Sequence, residues 1–401
     1  MTIAALRAGA TALALALTAA VETIAQSPPL PPQLSAETRA RLLAHLETSA
    51  QLPEDYIVSR FRDREIVFLG EWHRIRHDAL LVQRLIPLLY RAGVRNLGME
   101  LGCEEYQDRV DALLSAPAYD ESLVRWMMFQ RDVTFGYQEY LGIYRAAWEF
   151  NRTLAPGEPR FRIVHLDYRY DYAKVRPGME FREWRDVYPK GRRDAHMAGV
   201  IKREVLDRHE KALVYCGMAH AIARLRLPNY DHTLGWLLYY ETDSTAQIVE
   251  RRAPGSTFVI SLHMPWPSRR SAADSEYPVD GAIDAVMPDT PGYAAAFDVR
   301  GSPFGELGDT RSTYSLDERG GFTLADFCDG YVFLGHFQDY EGMTPVPDFV
   351  NPDNLAEAHE LTLVPEKKTR QALRSRSVEH YARTMEREGN AIRALVAAGL
   401  R

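Results

Sequence analysis

Three cysteines in 401 residues are too few, and too odd in number, to staple a fold. An exported chain can oxidise pairs, yet at least one of Cys103, Cys216 and Cys328 must stay unpaired. Each sits in an apolar, strand-like stretch and reads as a small buried hydrophobe. Lys and Arg form no run, and the formal net charge is -7 with a pI near 6.0. That balance excludes a general attraction to nucleic acid or to anionic lipid. Long apolar runs are missing too, apart from residues 8–21, which are too short to cross a bilayer comfortably.

What is present divides along the chain. Arg7 gives the first residues a positive charge with no acid. Small and apolar residues follow, and Thr23-Ile24-Ala25 precedes Gln26. This is the order of a secretory signal peptide over residues 1–25, and it predicts a periplasmic or secreted protein with no stable membrane span after cleavage. Residues 26–57 read as a leader, stiffened by Pro28, Pro29, Pro31 and Pro32, and an N-terminal helix over 36–48. The remainder, 58–401, reads as a single domain. Its composition, 46% apolar and 26% charged over the whole chain, is that of an ordinary globular protein.

Within that domain, short apolar runs alternate with helical periodicity. Strands are expected at 65–69, 94–101, 161–167, 211–216, 247–250, 258–263 and 329–335. Helices are expected after residue 79, closed by Gly93, and at 137–151, 192–209 and 366–400. Residues 265–318, rich in Pro, Gly, Ser and Asp, read as a loop-rich insertion. Such alternation predicts an α/β fold: a largely parallel central sheet flanked by helices, with the site at the carboxyl ends of the strands.

Two segments end alike. Glu65-Ile-Val-Phe-Leu-Gly-Glu-Trp-His73 and Lys211-Ala-Leu-Val-Tyr-Cys-Gly-Met-Ala-His220 each run through a strand to Gly-x-x-His. Chance alone would place about one such pair in a chain of this composition, so the weight lies in the context. Glycine permits a sharp turn where a strand ends, and the imidazole is then presented at the rim of the sheet. Carboxylates reach the same rim: Glu71 inside the first turn, Glu100 and Asp167 at the ends of other strands. Histidines among carboxylates can hold a divalent metal through His73, His220 and Glu71, or supply general base and acid without one. Glu71 can equally cap the following helix. Trp72 reads as packing or as a ligand platform. His77 shares a helical face with His73, and Arg193-Asp194 opens a helix as a cap or as a clamp on substrate or on a histidine.

Leu-Gly-Glu-Trp-His73, His77, Gly-Met-Glu100, the aromatic helix through Trp148 and Asn151, Arg193-Asp194 with Met197, and Cys-Gly-Met-Ala-His220 occur in an order that resembles the superfamily of ChaN-like haem-binding proteins, Tiki proteases and erythromycin esterases. The resemblance spans about residues 60–225. It implies a hydrolase-like protein, metal-dependent or not, acting on a small-molecule or peptide ligand. In that reading Glu71, His73, Glu100, Arg193 and His220 form the catalytic set. It equally implies a haem-binding protein without turnover, with His77, Asp167 and Tyr168, followed by Tyr170 and Tyr172, near the cofactor. The chain departs from the esterases, which carry an extra residue between Glu and His in the first motif and usually Asn in the second. This departure points away from macrolide hydrolysis.

Overall fold

The computed structural model describes residues 34–174, 187–232, 236–316, 321–362 and 374–400. The signal peptide and the Pro-rich leader expected at the N-terminus lie outside them. Among the described residues, no helix is long and apolar enough to cross a membrane.

Eleven strands are present among the described residues. In chain order these are β1 (Ile66–Glu71), β2 (Asn96–Cys103), β3 (Arg162–Asp167), β4 (Ala212–Gly217), β5 (Pro228–Asp231), β6 (Trp236–Tyr240), β7 (Thr257–Leu262), β8 (Trp266–Pro267), β9 (Ser275–Glu276), β10 (Ala295–Asp298) and β11 (Gly330–Phe333). Seven make one sheet in the order β10-β11-β7-β1-β4-β2-β3, and only the edge strand β10 runs antiparallel. Strands β5 and β6 form a hairpin, and β8 pairs with β9.

The sheet is covered on both faces, as a parallel sheet must be. Alternation along each strand sorts its side chains into two layers. Val67 and Leu69 of β1, with Leu213 and Tyr215 of β4, join one core layer. It also contains Leu81, Val82, Leu85 and Leu89 of the Arg76–Arg91 helix. Ile66 and Phe68, with Val214 and Cys216, join the other, which is covered by the Arg193–Glu204 and Thr245–Arg252 helices. The Arg76–Arg91 helix ends where Gly93 takes a left-handed φ of 83°.

This arrangement creates the crevice. Strands β1 and β4 are hydrogen-bonded neighbours, with Glu71 beside Gly217. The chain leaves β1 toward the helix of the first layer and leaves β4 toward helices of the second. The two exits diverge, the topology at which open α/β sheets place a crevice beyond the carboxyl ends of their strands.

Two expected elements differ, and the C-terminal stretch is a helix pair, one of the two forms its sequence allows. Residues 247–250 are helical, because Ser244 and Gln247 form a reciprocal cap that starts the Thr245–Arg252 helix. The 265–318 stretch is more than loop: it supplies β8, β9 and the sheet's antiparallel edge β10, whose Phe297 is fully buried. The C-terminal helical stretch divides into Val378–Gly389 and Ala391–Ala397, and residues 363–373 lie outside the described residues. The three cysteines are all buried and free.

Leu85 is fully buried between the sheet and its helix. Leu85→Ala is expected to cost about 2–5 kcal/mol in urea denaturation. A loss below about 1 kcal/mol would contradict the core position.

Candidate active site

His73 and His220 meet across one carboxylate. Glu100 lies within β2, at the start of a register irregularity between Met99 and Cys103 that lets its side chain leave the sheet and enter the crevice. Its Oε2 is 3.8 Å from His73 Nε2, and its Oε1 is 3.2 Å from His220 Nε2. It also accepts from Arg193 Nη2 at 2.6 Å and from the Gly217 backbone N–H at 2.7 Å. Burial pushes this carboxyl upward, but the charges of His220 and His73, the His220 hydrogen bond and the Arg193 charge outweigh it. They hold the group well below the usual range. Glu100 is therefore an ionised anchor and a poor base.

His73 is held from below. Its Nδ1–H donates to Glu71 Oε1 at 2.7 Å, while the Tyr140 and Tyr215 hydroxyls donate to the same carboxylate. Glu71 is 2% exposed, so its lone pairs must be satisfied from within the protein. With Nδ1 spent as a donor, His73 carries a lone pair on Nε2 whenever the ring is uncharged. The 3.8 Å gap to Glu100 is too long for a hydrogen bond and leaves that lone pair unclaimed. The ring edge packs on Phe135, and the side chain is 29% exposed, so solvent reaches it.

His220 is in the opposite state. Its Nδ1 lies 2.8 Å from Asp194 Oδ1 and its Nε2 faces Glu100. Burial alone would lower its pKa. The Glu100 charge and the hydrogen bonds to Asp194 and Glu100 overcome this and raise it to about 9. Both nitrogens thus donate from an imidazolium. A cavity of about 240 Å³ opens beside His220 and Asp194, walled in part by Ile222, Leu225 and Leu227.

Asp167 ends β3 beneath this layer. It is fully buried and receives Arg193 Nε and Arg131 Nη2, each at 2.8 Å. It fixes the guanidinium that grips Glu100 and does not itself face the crevice. Tyr168 also turns away, its hydroxyl donating to the Gly191 carbonyl. His77 lies outside the constellation: its ring stacks on Tyr340 and its Nε2 accepts the Glu341 N–H. Trp72 is partly buried and packs between two hydrophobic clusters. Sequence reasoning passed over Tyr140, Tyr215, Arg131 and Asp78. Asp78 is fully buried beside the site, and burial together with the Glu71 charge pushes its carboxyl well above the usual range.

The donor set does not fit a divalent metal. Glu71 already accepts three donors, Glu100 accepts from Arg193, His220 and a backbone N–H, and both nitrogens of His220 face carboxylates. A metal cation there would confront the Arg193 guanidinium. Among the described residues, no group of three or more His, Cys, Asp or Glu side chains is arranged to hold a metal ion. The residues expected near a haem, His77, Asp167 and Tyr168, all have polar atoms directed elsewhere.

The paired glycines have a steric reason. A Cβ at Gly217 would stand 3.0 Å from His73 Nε2, and one at Gly70 would stand 2.2 Å from Met218 Sδ. Each glycine makes room for a side chain of the other motif.

No protein-family model and no curated protein matches the chain. Solved structures similar to it include an erythromycin esterase, EreC, in an open conformation. The two are 13% identical over 70% of this chain and 92% of that one, with a TM-score of 0.47. A succinoglycan biosynthesis protein is 10% identical over 75% and 98%, also with a TM-score of 0.47. ChaN of Campylobacter jejuni, crystallised with cofacial haem, is 11% identical over 54% and 88%, with a TM-score of 0.34. At such identities the likeness concerns the α/β fold alone.

The raised pKa of His220 carries a pH signature. A group raised from 6.5 to about 9 stabilises the fold fully below 6.5, and that contribution is lost as pH rises toward 9. Melting from pH 6 to 9.5 should show wild type losing up to roughly 3 kcal/mol more than His220→Gln. Identical slopes would contradict the assignment.

Proposed function

We propose that the chain is an exported hydrolase that cleaves an ester or amide with water activated by His73, without a metal. The observation that supports it most directly is the asymmetry of the two histidines. One is oriented by a carboxylate with its outer nitrogen unclaimed; the other is held as an imidazolium. An imidazole with an open nitrogen and an imidazolium across one carboxylate can serve as base and acid.

The steps follow from the hydrogen bonds. His73 Nε2 takes a proton from water, and Glu71 stabilises the imidazolium that forms. The hydroxide attacks the carbonyl carbon. Negative charge developing on the carbonyl oxygen is met by His220 and by Arg193, whose Nε and Nη2 are spent on Asp167 and Glu100 but whose Nη1 remains. As the tetrahedral intermediate collapses, His220 gives its Nε2 proton to the leaving oxygen or nitrogen. The proton held by His73 then returns to solvent, and His220 regains one between its two carboxylates. Glu100 orders the other groups and exchanges no proton. The cavity beside His220 offers space for an apolar portion of the substrate.

The N-terminal residue order supports the export part of this reading, and N-terminal sequencing of the mature protein should begin near Gln26.

The test of turnover is a panel of esters and short peptides, assayed with and without a chelator. His73→Ala and His220→Ala should each lower the rate by about 10²–10⁴-fold, with no effect of chelation. Turnover that survives both substitutions would refute the mechanism. Turnover abolished by chelation and restored by a divalent ion would refute its metal-free form. If no member of the panel is cleaved and haemin binds in a manner lost in His73→Ala, the binding-protein reading replaces it.

A further inference from the structure

His220 needs Asp194, and Asp194 has partners that neither Gly-x-x-His motif supplies. A single oxygen, Asp194 Oδ1, accepts three donors: His220 Nδ1–H at 2.8 Å, the Thr245 backbone N–H at 2.9 Å and the Thr245 hydroxyl at 2.8 Å. Thr245 is 1% exposed and is the first residue of the Thr245–Arg252 helix.

The reason lies in how that helix begins. The first N–H groups of a helix have no partner within it. Here the cap is made by its neighbours: the Ser244 hydroxyl accepts from Gln247 N, and Gln247 Oε1 accepts from Ser244 N, each at 3.2 Å. This leaves the Thr245 N–H to point off the end of the helix, where a carboxylate is favoured. Asp194 lies in the first turn of its own helix, Arg193–Glu204, so the same carboxylate is placed at two helix starts. Burial would push the Asp194 carboxyl up, but hydrogen bonds from His220 and Thr245, together with the His220 charge, hold it below its ordinary value. One residue earlier, the Ser244 hydroxyl donates to the Ile222 carbonyl at 2.7 Å, just past His220. The start of one helix thus holds the His220 turn from two sides.

We propose that Thr245 is a positioning residue for the active site: its hydroxyl and backbone N–H fix Asp194 Oδ1, and Asp194 in turn fixes the His220 ring with its Nε2–H directed into the crevice. This rests on the reading of His220 as the acid. A β-branched side chain at Thr245 has few rotamers, so the hydroxyl is pre-aimed when the helix forms. Loss of the hydroxyl would free Asp194 to turn about its χ angles, and His220 Nδ1–H would lose a fixed acceptor.

The test needs no substrate. In wild type, the His220 Nδ1–H held on Asp194 should give a downfield ring proton resonance at neutral pH that exchanges slowly enough to observe. His220→Gln assigns it by removing it. Thr245→Val keeps the shape and the backbone N–H while deleting the hydroxyl, and it should broaden or abolish the resonance, leaving backbone amide signals of the central sheet in place. Thr245→Ser should restore it. If a hydrolytic substrate is found, Thr245→Val should lower kcat with little change in KM. A resonance unchanged in Thr245→Val overturns the proposal. Survival in Thr245→Val with loss in Thr245→Ser would assign the ring's position to the methyl group that Val keeps and Ser lacks. Failure to hydrolyse any ester or peptide would count against the mechanism alone, since the ring resonance reports on positioning without turnover.

Discussion

A buried carboxylate that three donors share holds this site together. Removing Glu100 from water is expensive, and its cost is offset only because Arg193, His220 and the Gly217 N–H converge on it. Those donors come from a helix start, from the turn after β4 and from the end of β4 itself. One ionised side chain therefore fixes how three segments approach each other. Arg193 is clamped in its turn by Asp167, which Arg131 also holds, so the anchor is built two layers deep.

Charge balance explains why the crevice differs from a metal centre built of the same residue types. Histidines and carboxylates at strand ends are the raw material of many metal sites. Here the positive charge is supplied by the chain itself, through a guanidinium and an imidazolium. The negative charge is distributed over carboxylates whose lone pairs are already taken. The sole imidazole nitrogen of the pair left without a close partner is His73 Nε2, and its surroundings suit a lone pair that receives a proton.

Much of this architecture was legible in the sequence. Alternating apolar runs and helical periods gave the largely parallel sheet, because each strand is buried on both faces and reads as a continuous apolar stretch. The placement of His73, Glu71 and His220 followed from the glycines near the ends of β1 and β4, whereas Glu100, read as a strand end, lies within β2. Arg193-Asp194 stood out as the opening of a helix, with a clamp on a histidine among its readings. The rest was hidden for a physical reason. Tyr140 and Tyr215 lie 69 and 144 residues from Glu71, and an aromatic stripe or a strand tyrosine looks the same whether its hydroxyl is idle or bonded. Thr245 was lost with its helix, since a short apolar run misreads as a strand when the cap before it goes unnoticed. His77 shows the converse: correct helical spacing put it near His73 in sequence, but the intervening turn aims it at Tyr340.

The reciprocal glycines carry an evolutionary consequence. Gly70 gives way to Met218, and Gly217 gives way to His73, so each position is hostage to a residue some 145 places distant in the chain. A methyl group at Gly70 requires the Met218 side chain to move or change, and it would still lie 3.2 Å from the Met218 Cα and 3.3 Å from the Ala221 Cβ. Drift at these two positions is epistatic, and the path between viable pairs crosses a less stable chain. The Gly-x-x-His spacing is thus protected by steric linkage between the motifs, independently of whatever chemistry the histidines perform.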